Sequence, residues 1–202
     1  MTHGRFITFE GIDGAGKSTH VTWFADLLKS LGHPVMVTRE PGGTALGEQL
    51  RNLALNHPMA PLTELLLVFA ARAEHLAERI RPALARGEWV VCDRFTDSTF
   101  AYQGAGRQIG IERVRRLEAL VHPDLQPHHT FLFDLDPAEA ARRRATARAA
   151  DRFEAEDLSF FDRVRGGYLQ RAADFPGRFT VIDSTQTIDI IRKILQQSAA
   201  TL

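Results

Sequence analysis

Residues 11–18, GIDGAGKS, match the pattern G-x-x-x-x-G-K-[ST] in full. Glycines let the backbone wrap around a phosphate chain with its N–H groups pointing inward, and a helix that begins there adds partial positive charge. In this motif Lys17 reaches the β- and γ-phosphates, and the Ser18 hydroxyl binds Mg²⁺. The stretch therefore predicts nucleoside triphosphate binding and leaves the second substrate open. The residues expected to contact the triphosphate are Gly11, Ile12, Asp13, Gly14, Ala15, Gly16, Lys17, Ser18 and Thr19.

Charged residues follow two other apolar runs. Asp93 comes directly after WVVC at 89–92, a placement typical of a carboxylate that holds magnesium directly or through water. Arg94 follows at once, and a plain structural ion pair between the two is the alternative. Arg39 follows the run 34–38 on a tight turn. Its planar guanidinium suits bidentate phosphate recognition, the alternative being an exposed turn charge.

Two further patterns are candidates for a binding site. Phe69 and Arg72 lie three residues apart, so on a helix they share a face, and a ring beside a donor fork could stack on and hydrogen-bond a base. Phe69 taken alone is better explained as a core residue. The arginines at 142–144, 148 and 152 form a basic cluster. This cluster is either a solvated helix face or a mobile lid that closes on phosphates and excludes water.

The elements that must position these residues alternate along the chain. Apolar runs predict strands at 5–10, 34–38, 89–92, 130–135 and 179–182. Helical spacing appears at 18–31, 46–55, 62–86, 111–121, 137–148, 159–174 and 187–197. Such alternation predicts a doubly wound α/β fold with a five-stranded parallel sheet in three layers. Because ligands bind beyond the carboxyl ends of such strands, the chemistry should lie just after Glu10, Thr38 and Cys92.

The bulk composition limits the alternatives. A chain of 202 residues suits one domain, and 25 basic against 25 acidic residues argue against a nucleic-acid or anionic-membrane partner. A single cysteine, Cys92, excludes an internal disulfide and suits a reducing compartment. The N-terminal residues do not form a signal peptide, and the longest apolar run, 65–71, is too short to span a bilayer. We therefore expect a cytoplasmic protein.

Six stretches together resemble the thymidylate kinase family. They extend from the first strand to the helix after the lid, so the resemblance spans most of the chain: FEGIDGAGKST, TREPGGTALGEQLRNL, LLLVFAARAEHL, DRFTDSTFAYQGAGRQI, DLDPAEAARR and DRFEAED. The glycine-rich loop is shared with many nucleotide-binding proteins, whereas REPGGT, the FAAR helix and DRF followed by AYQGAGR are much more particular. The resemblance implies a nucleoside monophosphate kinase fold over residues 1–202, with the phosphate loop at 11–18 and a lid at about 142–154. It also implies a homodimer that uses ATP and Mg²⁺ to convert dTMP to dTDP.

The resemblance also implies residue roles. Asp13 would help to position the acceptor, Arg39 and Arg94 would bind the dTMP phosphate, and Asp93 would lie at the magnesium. Phe69 would stack on thymine and Arg72 would donate to its O4 edge. The residues implied near the base and sugar are Ser98, Thr99, Tyr102, which would disfavour a 2′-hydroxyl, and Gln103.

Gly14 bears on the source of the catalytic arginine. Some family members carry an arginine in the phosphate loop at this position, and others have glycine there and supply the arginine from the lid. This chain is of the second kind, although its lid, ATARA at 145–149, departs from the expected Arg-x-Arg-Gly pattern. Arg148 is the preferred catalytic arginine, with Arg143 and Arg152 as supports.

Two other functions remain open on the sequence. One is a kinase of the same class that acts on another nucleotide or on a deoxynucleoside. The other is a GTPase-like switch or a regulatory binding module, against which stands the lack of an Asn-Lys-x-Asp motif.

Overall fold

A computed structural model describes residues 4–144 and 152–202. Its five strands are short and apolar, and in chain order they are β1 (Phe6–Glu10), β2 (Val35–Arg39), β3 (Trp89–Asp93), β4 (His129–Asp134) and β5 (Phe179–Asp183). They form one parallel sheet in the order β2-β3-β1-β4-β5. All five residues of β1 are buried, as expected for a central strand covered on both faces.

Helices connect the strands and cover the sheet. They are α1 (Lys17–Ser30), α2 (Ala45–Asn56), α3 (Pro61–His75), α4 (Arg81–Ala85), α5 (Thr96–Thr99), α6 (Ile111–Val121), α7 (Pro137–Arg144), α8 (Leu158–Asp174) and α9 (Ile188–Ala199). Two π-helical segments interrupt them, one at Leu76–Ile80 between α3 and α4 and one at Phe100–Gly106 after α5. The predicted α/β fold with a five-stranded parallel sheet is confirmed.

The core lies on both faces of the sheet. Phe6 and Val90 pack with Leu76 and Ile80 on one face. Their chain neighbours Ile7 and Val91 belong to the larger cluster, which includes α1 and α8. Successive strand residues point to opposite faces, so β1 and β3 contribute to both clusters.

The predicted elements differ from the observed ones in two places. The long helix predicted at 62–86 has a π-helical segment in its middle. The helical turn at Thr96–Thr99 and the π-helical segment that follows it were not predicted. In the part of the chain that the structure describes, no helix is both long enough and apolar enough to cross a bilayer.

Candidate active site

The glycine-rich loop joins β1 to α1, as its sequence predicts. Gly11 has φ +132°, and a Cβ there would lie 2.3 Å from the carbonyl oxygen of Phe133, so only glycine fits. Gly16 has φ +89° and precedes the first turn of α1. The Nζ atom of Lys17 donates to the carbonyls of Gly11 and Ile12 at 2.8 and 3.1 Å. Burial, and then the charge of Arg94, lower the pKa of Lys17 to about 8.

Two concave sites meet beside this loop. We call the first the loop groove, and its walls are Asp13, Gly14, Gly16, Lys17, Ser18, Thr19, Arg39, Glu40, Arg51, Asp93, Arg94, Arg143 and Glu154. We call the second the inner pocket, and its walls are Asp13, Glu40, Pro41, Arg51, Ala54, Leu55, Val68, Arg72, Arg94, Phe95, Ser98, Thr99, Tyr102, Gln103 and Phe153. Asp13, Glu40, Arg51 and Arg94 line both, so a molecule in the pocket can reach one in the groove there.

Arg94 connects the two sites. Its backbone has φ +70°, an uncommon conformation for a residue with a side chain, and this turn directs the side chain back toward the loop. One Nη donates to Asp13 at 2.9 Å and to Tyr102 at 3.2 Å. The other donates to the hydroxyls of Tyr168 and Ser98 at 2.8 and 3.2 Å. The alternative of a simple pair between Asp93 and Arg94 is therefore wrong, because Arg94 pairs with Asp13.

Asp13 is held as a carboxylate. Burial opposes its ionisation, but the charges of Arg94 and Lys17 outweigh burial and hold the pKa of Asp13 well below its usual range. Its second oxygen accepts a hydrogen bond from the Tyr102 hydroxyl at 3.1 Å. The carboxylate is thus fixed at the junction of pocket and groove.

Glu10 holds several residues of this junction by hydrogen bonds, a role that the sequence analysis did not predict. Its carboxyl group is fully buried at the end of β1 and accepts from the backbone N–H of Phe95 at 2.7 Å. It also accepts from the hydroxyls of Ser98 and Tyr168 at 2.6 and 3.1 Å. Burial, and then the nearby Asp97, raise the pKa of Glu10 to about 7.

This raised pKa predicts a pH-dependent stability. The unfolded chain loses the Glu10 proton near pH 4.5 and the folded chain near pH 7. The folded state therefore binds the proton more tightly, and stability falls as the pH rises through this window. We expect the free energy of unfolding to lose up to about 3 kcal/mol from this group between pH 4.5 and 7.

Denaturant unfolding at pH 5, 6, 7 and 8 measures this effect. The free energy of unfolding should fall more steeply with pH in the wild type than in Glu10→Gln, which keeps the side-chain shape and cannot ionise. Parallel curves for the two proteins would show that Glu10 does not titrate in this range.

Arg72 is a buried lining residue of the inner pocket. It is 1% exposed, with its guanidinium between the rings of Phe69 and Phe95 at 4.9 and 5.0 Å from their centroids. Nε donates to Glu40 at 2.7 Å and Nη2 to Thr99 at 2.9 Å. Nη1 is buried and has no hydrogen-bond partner within the described ranges 4–144 and 152–202. A molecule in the pocket could therefore accept a hydrogen bond from Nη1.

Phe69 lies beside the inner pocket residues on α3 but is itself in the core. It lies in a buried cluster with Leu65, Phe100 and Val114 and does not line the inner pocket. Val68 lines the pocket instead. Both i+3 and i+4 spacings place residues on a shared helix face, and here the pocket face contains the i+4 pair, Val68 and Arg72. The contact between the Phe69 ring and a base therefore stays a prediction, while the burial of the ring agrees with its interpretation as a core residue.

The other residues predicted for the acceptor line the inner pocket, except Arg39, which lines the loop groove. Ser98 and Thr99 lie on α5, and Tyr102 and Gln103 lie on the π-helical segment after it. The amide Nε2 of Gln103 donates to the buried carboxylate of Glu64 at 2.7 Å. The unpredicted Phe153 meets the Tyr102 ring edge to face at 5.8 Å between centroids and adds an aromatic wall.

A cluster of arginines lies where pocket and groove meet. Arg39 lines the groove, pairs with Glu48 at 2.9 Å and is 56% exposed. Arg51 lines both sites and donates to the carbonyl of Pro41 at 2.9 Å. Burial, and then the charge of Arg39, lower the pKa of Arg51. Sequence analysis missed Arg51, whose only signal was its position on the predicted helix after REPGGT.

Asp93 and Ser18 share the loop groove. The Oδ1 atom of Asp93 is buried and has no hydrogen-bond partner among the residues that the structure describes. In that same part of the chain, no three His, Cys, Asp or Glu side chains gather as a metal site. Magnesium keeps several waters and binds phosphate oxygens, so one carboxylate and one hydroxyl are enough protein ligands for it. The donor set fits this ion.

The basic cluster is only partly described. Arg148, the preferred catalytic arginine, lies outside the described residues. Arg143 lines the loop groove, pairs with Glu139 at 2.9 Å and donates to the carbonyl of Ser184 at 3.2 Å. Arg152 pairs with Glu64 at 2.7 Å and donates to the carbonyl of Ala54, so it fixes the chain beside the inner pocket.

Comparisons with known proteins agree with this architecture. A family model described as thymidylate kinase matches residues 9–194. The thymidylate kinase of Ralstonia nicotianae is 58% identical over 203 residues, which cover 98% of this chain and 99% of that protein. The thymidylate kinase of Bordetella pertussis is 56% identical over 200 residues, which cover 98% of this chain and 96% of that protein. The crystal structure of thymidylate kinase from Ehrlichia chaffeensis aligns with a TM-score of 0.77 at 37% identity, over 95% of this chain and 99% of that one.

Proposed function

The chain belongs to the thymidylate kinase family, and from this premise we propose that it transfers the γ-phosphoryl group of ATP to the 5′-phosphate of dTMP. The products are dTDP and ADP, and the reaction supplies dTTP synthesis. One observation carries the proposal: the inner pocket and the loop groove are lined in common by Asp13, Arg51 and Arg94. A nucleoside monophosphate in the pocket would there present its phosphate to a triphosphate held by the loop.

The inner pocket suits a pyrimidine with a carbonyl at position 4. Arg72 Nη1 is a buried donor that this carbonyl would satisfy, and a buried donor without a partner costs about 1–3 kcal/mol. Val68, Phe95 and Phe153 supply apolar walls for the ring. We assign Thr99 and Gln103 to the base edge, with Ser98 nearby, and Tyr102 to the sugar.

Cations hold the two anionic substrates. Lys17 and the loop N–H groups bind the β- and γ-phosphates of ATP. Arg39, Arg51 and Arg94 bind the phosphate of dTMP, since Arg51 and Arg94 line both the pocket and the groove and Arg39 lines the groove beside them. Ser18 and Asp93 would hold Mg²⁺, which when bound neutralises charge on the transferring phosphates.

Phosphoryl transfer depends mainly on position and charge. The attacking phosphate oxygen is already ionised near neutral pH, so no general base is required. Asp13 orients Arg94 through its 2.9 Å contact and assists in placing the acceptor. Because Gly14 leaves the loop without an arginine, a cation from the segment after α7 completes the charge. Arg148 is our assignment for it, and Arg143 assists at the triphosphate.

A panel of acceptors tests the proposal. With ATP and Mg²⁺, kcat/KM for dTMP should exceed that for dUMP, dCMP, dGMP and thymidine. A different preferred monophosphate would make the chain a kinase of another specificity. ATP or GTP hydrolysis faster than transfer to any acceptor would indicate a switch or binding module instead.

The proposed assembly is a homodimer. Exposed apolar side chains occur on α2, α3 and α6, which pack side by side: Leu46, Leu53, Leu62, Leu66, Ile111 and Leu120. Such side chains favour an interface. Sedimentation velocity at micromolar concentration should give twice the chain mass, and the mass of one chain would contradict the dimer. A cytoplasmic location also stays a prediction, with which the buried free thiol of Cys92 is compatible.

A further inference from the structure

A chain of buried hydrogen bonds runs from β2 to the base end of the inner pocket. Thr38 Oγ1 and His75 Nε2 are 2.6 Å apart, and His75 Nδ1 lies 3.0 Å from Glu40 Oε1. Glu40 Oε2 then accepts from Arg72 Nε at 2.7 Å. His75, Glu40 and Arg72 are 0%, 3% and 1% exposed. The kinase reaction as described assigns no role to Glu40 or His75.

The donor and the acceptor can be assigned for the hydrogen bonds on either side of Glu40. An ionised carboxylate only accepts hydrogen bonds, so His75 Nδ1 donates to Glu40 and Arg72 Nε donates to its other oxygen. Burial opposes ionisation of Glu40, but Arg72 and His75 outweigh it and lower its pKa. Both carboxylate oxygens therefore accept from neighbouring side chains, and the contact with Arg72 Nε is the one that joins Glu40 to the donor for the base, although Glu40 also lines the pocket and the groove.

The surroundings leave this arrangement little freedom. The backbone N–H of Glu40 donates to the carbonyl of Asp93 at 2.9 Å, which fixes the carboxylate to β3. A Cβ on Gly43 would lie 2.5 Å from His75 Nε2, so the turn after Glu40 packs directly on the imidazole. Arg72 is confined between two aromatic rings and by Thr99. Among the described residues Nη1 has no hydrogen-bond partner, and Arg72 lines the pocket, so Nη1 is the donor left for a base.

We propose that Glu40 and His75 are positioning residues for base recognition: they fix Arg72 so that Nη1 selects a base with a carbonyl at position 4. The inference rests on the proposed function. A carbonyl accepts from Nη1, whereas the amino group of cytosine is itself a donor and leaves Nη1 without a partner. Loss of the positioning contacts therefore weakens discrimination at position 4 and leaves discrimination at position 5 unchanged.

Kinetics with three acceptors test the proposal. Glu40→Gln should raise KM for dTMP about tenfold and change kcat less than about threefold, because it alters binding rather than transfer. The preference for dTMP over dCMP should fall about tenfold, in line with the loss of a charged hydrogen bond. The preference for dTMP over dUMP, which differ only in the 5-methyl group, should stay within twofold of wild type. Glu112→Gln, on the exposed face of α6, is the matched control.

Other variants separate positioning from general stability. His75→Phe keeps the ring and removes the donor, so it should shift the dCMP ratio in the same direction by a smaller factor. In an Arg72→Leu background, Glu40→Gln should have no further effect on that ratio, because its action passes through Arg72. If Glu40→Gln does not fold, His75→Phe decides the question.

Two outcomes would overturn the inference. One is a parallel loss of kcat/KM for all three acceptors with a lower Tm, which is the behaviour of a structural network. The other is an unchanged dCMP ratio in both variants. Failure of the proposed function is distinguishable, because it would appear in the wild-type protein as a preference for an acceptor other than dTMP.

Discussion

Replacing Lys17 with alanine is expected to lower kcat by about 10²–10³-fold or more, the range seen when one donor to a developing charge is removed. The ammonium group would act on the β- and γ-phosphates, where negative charge shifts during transfer. Within the described part of the chain, Nζ donates its hydrogen bonds to the carbonyls of Gly11 and Ile12. The fold should therefore tolerate the change, with a Tm close to that of wild type.

A coupled assay for ADP formation at saturating dTMP measures this effect. Lys29→Ala is the control, because Lys29 lies on the same helix with its side chain 53% exposed and paired with Asp26. Its kcat should stay within twofold of wild type. A Lys17→Ala enzyme that keeps more than a tenth of the wild-type kcat would exclude Lys17 from the transfer step.

Replacing Arg94 with alanine is expected to lower kcat/KM for dTMP by about 10³-fold. The change removes a phosphate ligand and also releases Asp13 and Tyr102, which Arg94 holds at 2.9 and 3.2 Å. Arg94→Lys keeps the positive charge but cannot make four contacts in one plane, so we expect a loss of about 10²-fold. The two variants together separate charge from geometry.

Binding measurements show whether the Arg94 site remains intact. ADP affinity should change less than about fivefold, since the loop N–H groups bind its phosphates independently of Arg94. Arg115→Ala, an exposed arginine on α6, should resemble wild type in both assays. If Arg94→Ala alters KM for ATP and leaves kcat/KM for dTMP unchanged, Arg94 belongs to the donor side and our assignment is wrong.

Local sequence patterns predicted the scaffold well. The glycine loop, the strand before it and the helix after it depend on residues within about 25 positions of one another, and all three formed as expected. The five strands begin and end within two residues of their predicted bounds. The sequence also predicted that Glu10, Arg39 and Asp93 lie at the same end of the sheet, because the strands that carry them are parallel.

The partners of the site residues were not predictable in the same way. Arg94 bonds to Tyr168, Arg72 to Glu40 and Gln103 to Glu64. The two residues of each pair are tens of positions apart and meet only through tertiary packing. The periodicity of a sequence predicts helices and strands but not such contacts. The burial of Phe69 shows the same limit, since a sequence does not say which of two overlapping helix faces lines a pocket. Arg51 was missed because its position on a predicted helix does not distinguish it from the other basic residues, of which the chain has 25 in all.

The most direct test of the central claim, that this pocket takes the base of dTMP and delivers its phosphate to the loop, is a crystal structure with dTMP, Mg²⁺ and a non-hydrolysable ATP analogue. We predict the thymine ring between Val68 and Phe153, with its 4-carbonyl within hydrogen-bond distance of Arg72 Nη1. The 5′-phosphate should lie among Arg39, Arg51 and Arg94, facing the γ-phosphate beside Lys17. A base bound outside the inner pocket, or a 5′-phosphate with no contact to Arg94, would contradict the account.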